Sequence, residues 1–363
     1  MAREQAVEGL IAAALTPNTT TPTSHPTSRG AHPTPSERVL TLSLSERALA
    51  IEAQNLRMNA FVGRLFTLLK EHGVEAVLVK GQGIGQCYHR PLWRGSGDVD
   101  LFLSASQYAA AKALLVPLAA RVEPEDAGRL HLGLWLASDP AFEVELHGTL
   151  RSGLGRRVDK VLDFVQASAF AAKRFRTWSC EGVSVPLLAP DDDVFFVFVH
   201  ILQHFFRGGI GLRQVCDWCR LLYTFAGQLD VALLSRRLRA AGLLPLWQAF
   251  GAIAVTYLGM PEEAMPLATG CAGSCGSFAG RRPERILAYI MEVGNFGRNR
   301  SSAPSQYPYL IRKVVSFFRQ SRDLLRLGLI FPGFAFRVWA QMLFAGVARV
   351  FRDLINFFGP SSR

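Results

Sequence analysis

"RGSGDVDLFL", residues 94–103, is the stretch on which the reading of this chain turns. Side chains alternate across a strand, so Asp98 and Asp100 project from one face and Val99 and Leu101 from the other. Two carboxylates so placed repel unless one takes up a proton or a cation sits between them. The apolar residues that follow argue for a sheet interior rather than a solvated edge. A hard divalent metal is the natural compensation there, since Mg²⁺ is typically held by one or two carboxylates together with substrate phosphates.

Downstream, "FEVELH" (142–147) repeats the pattern. Glu143, Glu145 and His147 fall on one face, and Phe142, Val144 and Leu146 on the other. If this strand pairs beside "DVDLFL", the polar faces combine into a carboxylate cluster of the kind that two-metal phosphoryl chemistry uses. Upstream, "VEAVLVKG" (74–81) is a β-branched strand running into glycine, and "QGIGQCYHRPLWRGSG" (82–97) is a helical turn plus loop. Before these, residues 43–73 form one long helix with Ser45 as N-cap and His72-Gly73 as its end. "SASQYAAAKALLVPLAA" (104–120) is a further helix capped by Ser104 or Ser106. Alternating strands and helices make an α+β domain, assigned to residues 45–185.

The rest divides by composition. Residues 15–37 are dominated by Thr, Pro and Ser, too polar to offset the ordering entropy, so 1–44 is read as a disordered segment. Glu4 and Glu8 stand where a secretion signal wants basic residues, and six cysteines in 363 residues make no disulfide framework. A cytoplasmic setting follows as the expectation. "PDDDVFFVFVHILQHFF" (190–206) opens a helical region, 186–300, with Pro and acids in the first turn. Of the net charge of +11, the stretch 281–363 carries +10, from 14 basic and 4 acidic residues. Such a basic tail, 301–363, points to an anionic partner, while the near-neutral core does not suggest a specific nucleic-acid binder.

"LVKGQGIGQCYHRPLWRGSGDVDLFL" resembles the core signature of the nucleotidyltransferase-fold superfamily, the polymerase-β-like enzymes. It is most similar to a group of poorly characterised bacterial nucleotidyltransferases. These carry Lys-Gly, then Arg-x-x-Gly-Asp-hydrophobic-Asp, then an acid-x-His strand, matched here by Lys80-Gly81, Arg94 to Asp100 and Glu145-Leu146-His147. "HILQHFFRGGIGLRQVCDW" (200–218) resembles the group's helical segment at His200, His204, Arg213 and Asp217. The resemblance implies a mixed sheet with flanking helices, followed by a helical domain closing the nucleotide cleft. It implies Asp98, Asp100 and Glu145 as catalytic metal ligands for Mg²⁺ or Mn²⁺. Lys80, Gly81, Arg94, Gly97, His147, His204 and Asp217 would form the nucleotide-binding set, Gly81 letting the triphosphate approach the backbone. Lys80 is a point charge and Arg94 a fork for phosphate oxygens. Arg213 and Asp217 are expected in the helical wall over base or acceptor. The chain departs from the wider superfamily in Gln82, where a small residue is usual, and in a longer gap from Gly81 to Asp98.

His200-x₃-His204 followed by Cys216-x₂-Cys219 has ligand types and spacings that zinc accepts. The same cysteines also read as small apolar residues of a plain helix. In the tail, arginines recur along polar stripes of two helices, and the longest charge-free run, 338–348, is 11 residues, too short to span a bilayer. Such helices suit the plane of an anionic inner membrane face, or equally pack on the enzyme or a protein partner. The expected function is metal-dependent transfer of a nucleoside monophosphate from an NTP, ATP by default, to an unidentified hydroxyl acceptor. The alternative is a catalytically weak member acting as an antitoxin-like or membrane-associated binding protein. A glycosidase-type acid pair explains neither the Lys-Gly turn nor acids at strand spacing.

Overall fold

The computed structural model describes residues 35–268, 282–295 and 309–358. The fold is α+β: a mixed seven-stranded sheet flanked by helices, then a helical C-terminal region. The Thr/Pro/Ser-rich stretch lies outside the described residues up to position 34. Helix α1, Pro35–Glu71, starts ten residues ahead of the expected Ser45. Nothing in "PSERVLTLSL" breaks a helix, and proline is tolerated at a first helical position. Gly73, at φ 69°, adopts the left-handed conformation just past the helix end, as the sequence suggested.

The sheet order is β3 (Ala119–Val122), β4 (His131–Leu136), β5 (Glu143–His147), β2 (Asp98–Phe102), β1 (Val77–Val79), β7 (Val183–Leu188), β6 (Phe175–Cys180). Between β1 and β2 come α2 (Gly81–Gly85) and a 3₁₀ turn at Pro91–Trp93. Helix α3, Ala105–Leu115, is capped by Ser104, whose hydroxyl accepts from the Gln107 N–H at 3.3 Å. It ends earlier than its sequence suggested, because Pro117 cannot continue it and the chain passes through a 3₁₀ turn into β3. Strands β3, β4, β6 and β7 add to the three read from sequence. Glu181-Gly182, both at positive φ, turns β6 into β7 as a tight hairpin.

Strand β2 lies at the centre, antiparallel to β1 and parallel to β5. The two sheet faces differ. Val99, Leu101, Val144, Leu146, Leu132 and Leu134 pack under α1 and α3. The opposite face carries Asp98, Asp100, Glu143, Glu145 and His147, and becomes apolar only at its far end through Val77, Val79, Phe102 and Leu188. That apolar end is covered by α4 (Arg156–Ala171) and α5 (Pro190–Arg207). The remaining helices are α6 (Leu212–Phe225), α7 (Val231–Ala241), α8 (Leu244–Leu258) and α9 (Arg282–Val293). The tail hairpin, α10 (Tyr309–Gly328) and α11 (Pro332–Phe358), completes the chain. The helical region and the hairpin share one hydrophobic core with this sheet face. At its centre Phe198, Trp218 and Trp247 meet with ring centroids 4.7–5.1 Å apart.

Polar clamps join this helical layer to the β1–β2 connection. Arg94 donates to both oxygens of Asp217 on α6, at 3.1 and 2.7 Å, and the Tyr88 hydroxyl donates to the same carboxylate at 2.9 Å. Arg213 donates to the Gly95 carbonyl at 2.5 Å, and Arg220 to the Cys87 carbonyl at 2.8 Å. Arg94 and Asp217 are both buried. Burying two charges is repaid only by close geometry, and removing one partner leaves the other uncompensated. Asp217→Ala is therefore expected to cost about 3–5 kcal/mol of unfolding free energy in urea melts, with Arg94→Met/Asp217→Leu recovering most of the loss. A loss below about 1 kcal/mol, the range of an exposed pair, rules the clamp out.

Candidate active site

The parallel register of β2 on β5 sets Asp98 beside Glu143, Asp100 beside Glu145 and Phe102 beside His147. Carboxylate oxygens of Asp98, Asp100 and Glu145 then lie within 4.8 Å of one another. Asp100 is almost wholly buried, at 2% exposure, while Asp98 and Glu145 are half-buried. The Lys80 ammonium lies 2.5 Å from Asp100. The His147 ring nitrogen Nε2 sits 2.8 Å from Asp100 Oδ1 and 3.2 Å from Glu145 Oε2. His131, directly opposite His147 on β4, brings its Nε2 to 3.5 Å from the same Glu145 oxygen.

The electrostatics follow from this crowding. Asp100 beside it, and then burial, push the Asp98 carboxyl above its usual range against the pull of Lys80. Burial alone would raise Glu145, but hydrogen bonds from His131 and His147 and the Lys80 charge hold it well below the usual carboxylate range. Burial works against the Lys80 ammonium, yet Asp100, Glu145 and Asp98 outweigh it and hold its pKa above that of ordinary lysine. His147 is likewise raised, its burial overcome by Asp100 and Glu145. Glu143, at the mouth beside Asp98, is pushed up to about 7 by desolvation, Glu145, Glu123 and Asp98. The donor set suits a hard divalent ion: three carboxylates converge, and Asp98 is left with surplus negative charge that a cation relieves.

Lys80 reaches this place through strained backbone. It sits at φ 57°, uncommon for a residue with a Cβ, and the following Gly81 is at φ 39°. A Cβ on Gly81 would meet Ser96 Oγ at 3.2 Å and the Asp98 carbonyl at 3.5 Å, so glycine keeps the turn close to β2. The turn is held from behind. Gln82 is buried and donates to Asn55 and Asn59 of α1 at 3.2 and 2.9 Å. Asn55 donates to the Leu92 and Arg94 carbonyls at 2.7 and 2.9 Å, and Gln54 to the Ser96 carbonyl at 2.7 Å. Gln82, the departure noted in the sequence, thus anchors the turn to α1.

Most of the residues singled out in the sequence gather here: Lys80, Gly81, Asp98, Asp100, Glu145 and His147. Gly97 is exposed, with open space around it. The Arg94 fork holds Asp217 while its Nη1 donates to Ser96 Oγ at 3.1 Å, and Arg213 donates to the Gly95 carbonyl, so these three tie α6 to the β1–β2 connection. His204 on α5 stacks edge-on against His200, with centroids 4.4 Å apart. Both rings are pushed down by burial first and then by the Lys80 charge, His204 to about 4. Cys219 is buried and Cys216 half-buried, both thiols raised by burial, and among the described residues neither joins a metal-type cluster.

Sequence reasoning missed His131, whose strand was not recognised. It also missed Arg129 and Arg207, which converge where a Gly153 Cβ would lie 2.8 and 2.7 Å from their guanidinium nitrogens. Burial and then the like charge of Arg129 bring Arg207 down to about 10. No spacing signal joins positions 129, 153 and 207; only the fold does.

A profile of the family described as uncharacterised nucleotidyltransferases matches residues 1–259. The chain belongs to that family. No curated protein and no solved structure matches it. The matched span includes the sheet, α1 and α5 to α8 and stops before α9 and the tail hairpin.

His204 supplies a pH test. It is neutral in the folded chain down to about 4 but protonates near 6.5 when unfolded, so the unfolded state binds more protons between those values. Stability is expected to fall as pH drops through that window, by up to about 3 kcal/mol from this group. Urea melts at pH 7, 5.5 and 4.5 should show a shallower fall in His204→Gln than in the native chain; equal slopes would refute the assignment.

Proposed function

We propose that the chain transfers a nucleoside monophosphate from an NTP to a hydroxyl acceptor and releases pyrophosphate. The observation that carries this is the convergence of Asp98, Asp100 and Glu145 beside the Lys80-Gly81 turn, in a chain of nucleotidyltransferase family. Those carboxylates are the residues that would hold Mg²⁺ or Mn²⁺, which when bound supplies charge to the triphosphate and acidifies the attacking hydroxyl.

The chain's own groups divide the remaining work. Lys80 neutralises the acids before substrate arrives and offers a point charge to phosphate oxygens. Gly81 keeps the turn packed close to β2 and its acids. Arg129 and Arg207, which converge over Gly153, add positive charge for phosphate oxygens. Glu145, held ionised by His131 and His147, stays available as a metal ligand rather than protonating. No residue pattern selects the base, so ATP is the default donor. An ammonium that never leaves Asp100 favours the second reading, a catalytically weak binding protein.

The tail hairpin supports placement at an anionic membrane surface. One face of it docks on the helical core through Leu324, Leu327, Ile330, Phe331, Phe334 and Val338, with Phe334 4.7 Å from Phe206. Yet Phe318, Leu325, Leu329, Phe336 and Phe344 are 65–74% exposed, with Arg322 and Arg337 exposed among them. No helix among the described residues is long and apolar enough to cross a membrane. Aromatic and aliphatic side chains outward among arginines suit an anionic lipid interface.

Mg²⁺-dependent pyrophosphate release is expected with at least one NTP in the presence of host lysate. Asp98→Asn and Asp100→Asn should lower it by more than the ~10–100-fold that outer-shell partners of a metal command. Nucleotide binding without release in the native chain would favour the weak-binder reading. In flotation, the full chain should rise with phosphatidylserine-containing vesicles at low salt, stay down with phosphatidylcholine alone, and lose the interaction in Phe318→Glu/Leu325→Glu. Indifference to lipid composition and salt refutes the membrane placement.

A further inference from the structure

Beside the three acids the same sheet face carries a second constellation of different chemistry. His131, Glu145 and His147 bring one nitrogen, one carboxylate oxygen and one nitrogen within 4.8 Å of one another. They stand on neighbouring strands, His131 paired directly with His147, and Gly133 paired with Glu145. The glycine matters, because a Cβ there would meet the Glu143 carboxylate at 2.8 Å. With no side chain there, the Glu143 carboxylate lies over Gly133, on the strand position paired with Glu145. His131 is about a third exposed, so the place is reachable from solvent.

We infer that His131, Glu145 and His147 form a zinc site separate from the hard-ion site of Asp98 and Asp100, with Glu145 shared between the two. The spacing fits: ligands about 2.0–2.1 Å from a tetrahedral zinc lie roughly 3.4 Å apart. Both histidine nitrogens stand near that distance from Glu145 Oε2, at 3.5 and 3.2 Å. The ligand types fit as well. Imidazole suits zinc and its neighbours in the first transition row, whereas Mg²⁺ takes oxygen ligands and holds its waters. Two histidines and one carboxylate fill three positions and leave a fourth for water or a substrate oxygen. Binding of zinc turns the His147 nitrogen from Asp100 toward the ion, which frees an Asp100 oxygen for the neighbouring site. The zinc site stands whether or not the acid triad transfers nucleotides.

The test uses the full chain without nucleotide. After equilibrium dialysis against Zn²⁺, metal analysis is expected to find one tightly held equivalent in the native chain and in Asp98→Asn, and its loss in His131→Ala. Co²⁺ in place of zinc should give a visible d–d band in the native chain and in Asp98→Asn, absent in His131→Ala. Far-ultraviolet circular dichroism checks that each variant is folded, and His131→Asp, which restores a ligand, should regain part of the zinc. The proposal is overturned if the native chain retains no zinc, if His131→Ala keeps the full equivalent, or if Asp98→Asn loses it as completely as His131→Ala. Zinc bound normally by a chain that releases no pyrophosphate would leave this site in place and refute only the transferase reading.

Discussion

Acids crowded on one face of two adjacent strands repel unless a proton or a cation intervenes, and the lysine at the end of β1 brings positive charge there. Lys80 reaches Asp100 because the backbone at positions 80 and 81 is forced to positive φ, and that strain persists because α1 holds the turn from behind. The acids, the turn and the long helix are therefore one arrangement. Asp100 carries the highest electrostatic stake, being nearly sealed from water between Lys80 and His147.

The helical layer answers a different need. The acid-bearing face of the sheet becomes apolar only at one end, and α4 and α5 cover that end while the polar end stays reachable. The Arg94–Asp217 pair then fixes α6 against the β1–β2 connection. An arginine beside a metal-type cluster invites assignment to phosphate, but here two of the Arg94 nitrogens hold the buried Asp217 carboxylate and the third donates to Ser96. Arg129 and Arg207, far apart in sequence, meet over Gly153, whose carbonyl accepts from Arg207.

The family profile covers the sheet and the first helices of the upper layer but not the tail hairpin. That division matches the chemistry. The matched part holds every residue of the acid cluster, and the unmatched part holds the exposed Phe, Leu and Arg stripe. The catalytic reading and the surface reading thus rest on separate portions of the chain and stand or fall independently.

Local spacing alone determined that Asp98 with Asp100, and Glu143 with Glu145 and His147, share faces of their strands, because side-chain alternation is a property of the strand itself. It also determined the start of α5 at Pro190, a serine cap at 104 or 106, and the basic excess of the last quarter; the structure places the cap at Ser104. Pairing between strands belongs to no local pattern. The parallel register that sets Asp100 against Glu145, the strand that delivers His131, and the meeting of Arg94 with Asp217 across 123 residues were decided only by the tertiary structure. Each depends on which distant surfaces bury each other, and short-range periodicity does not encode that.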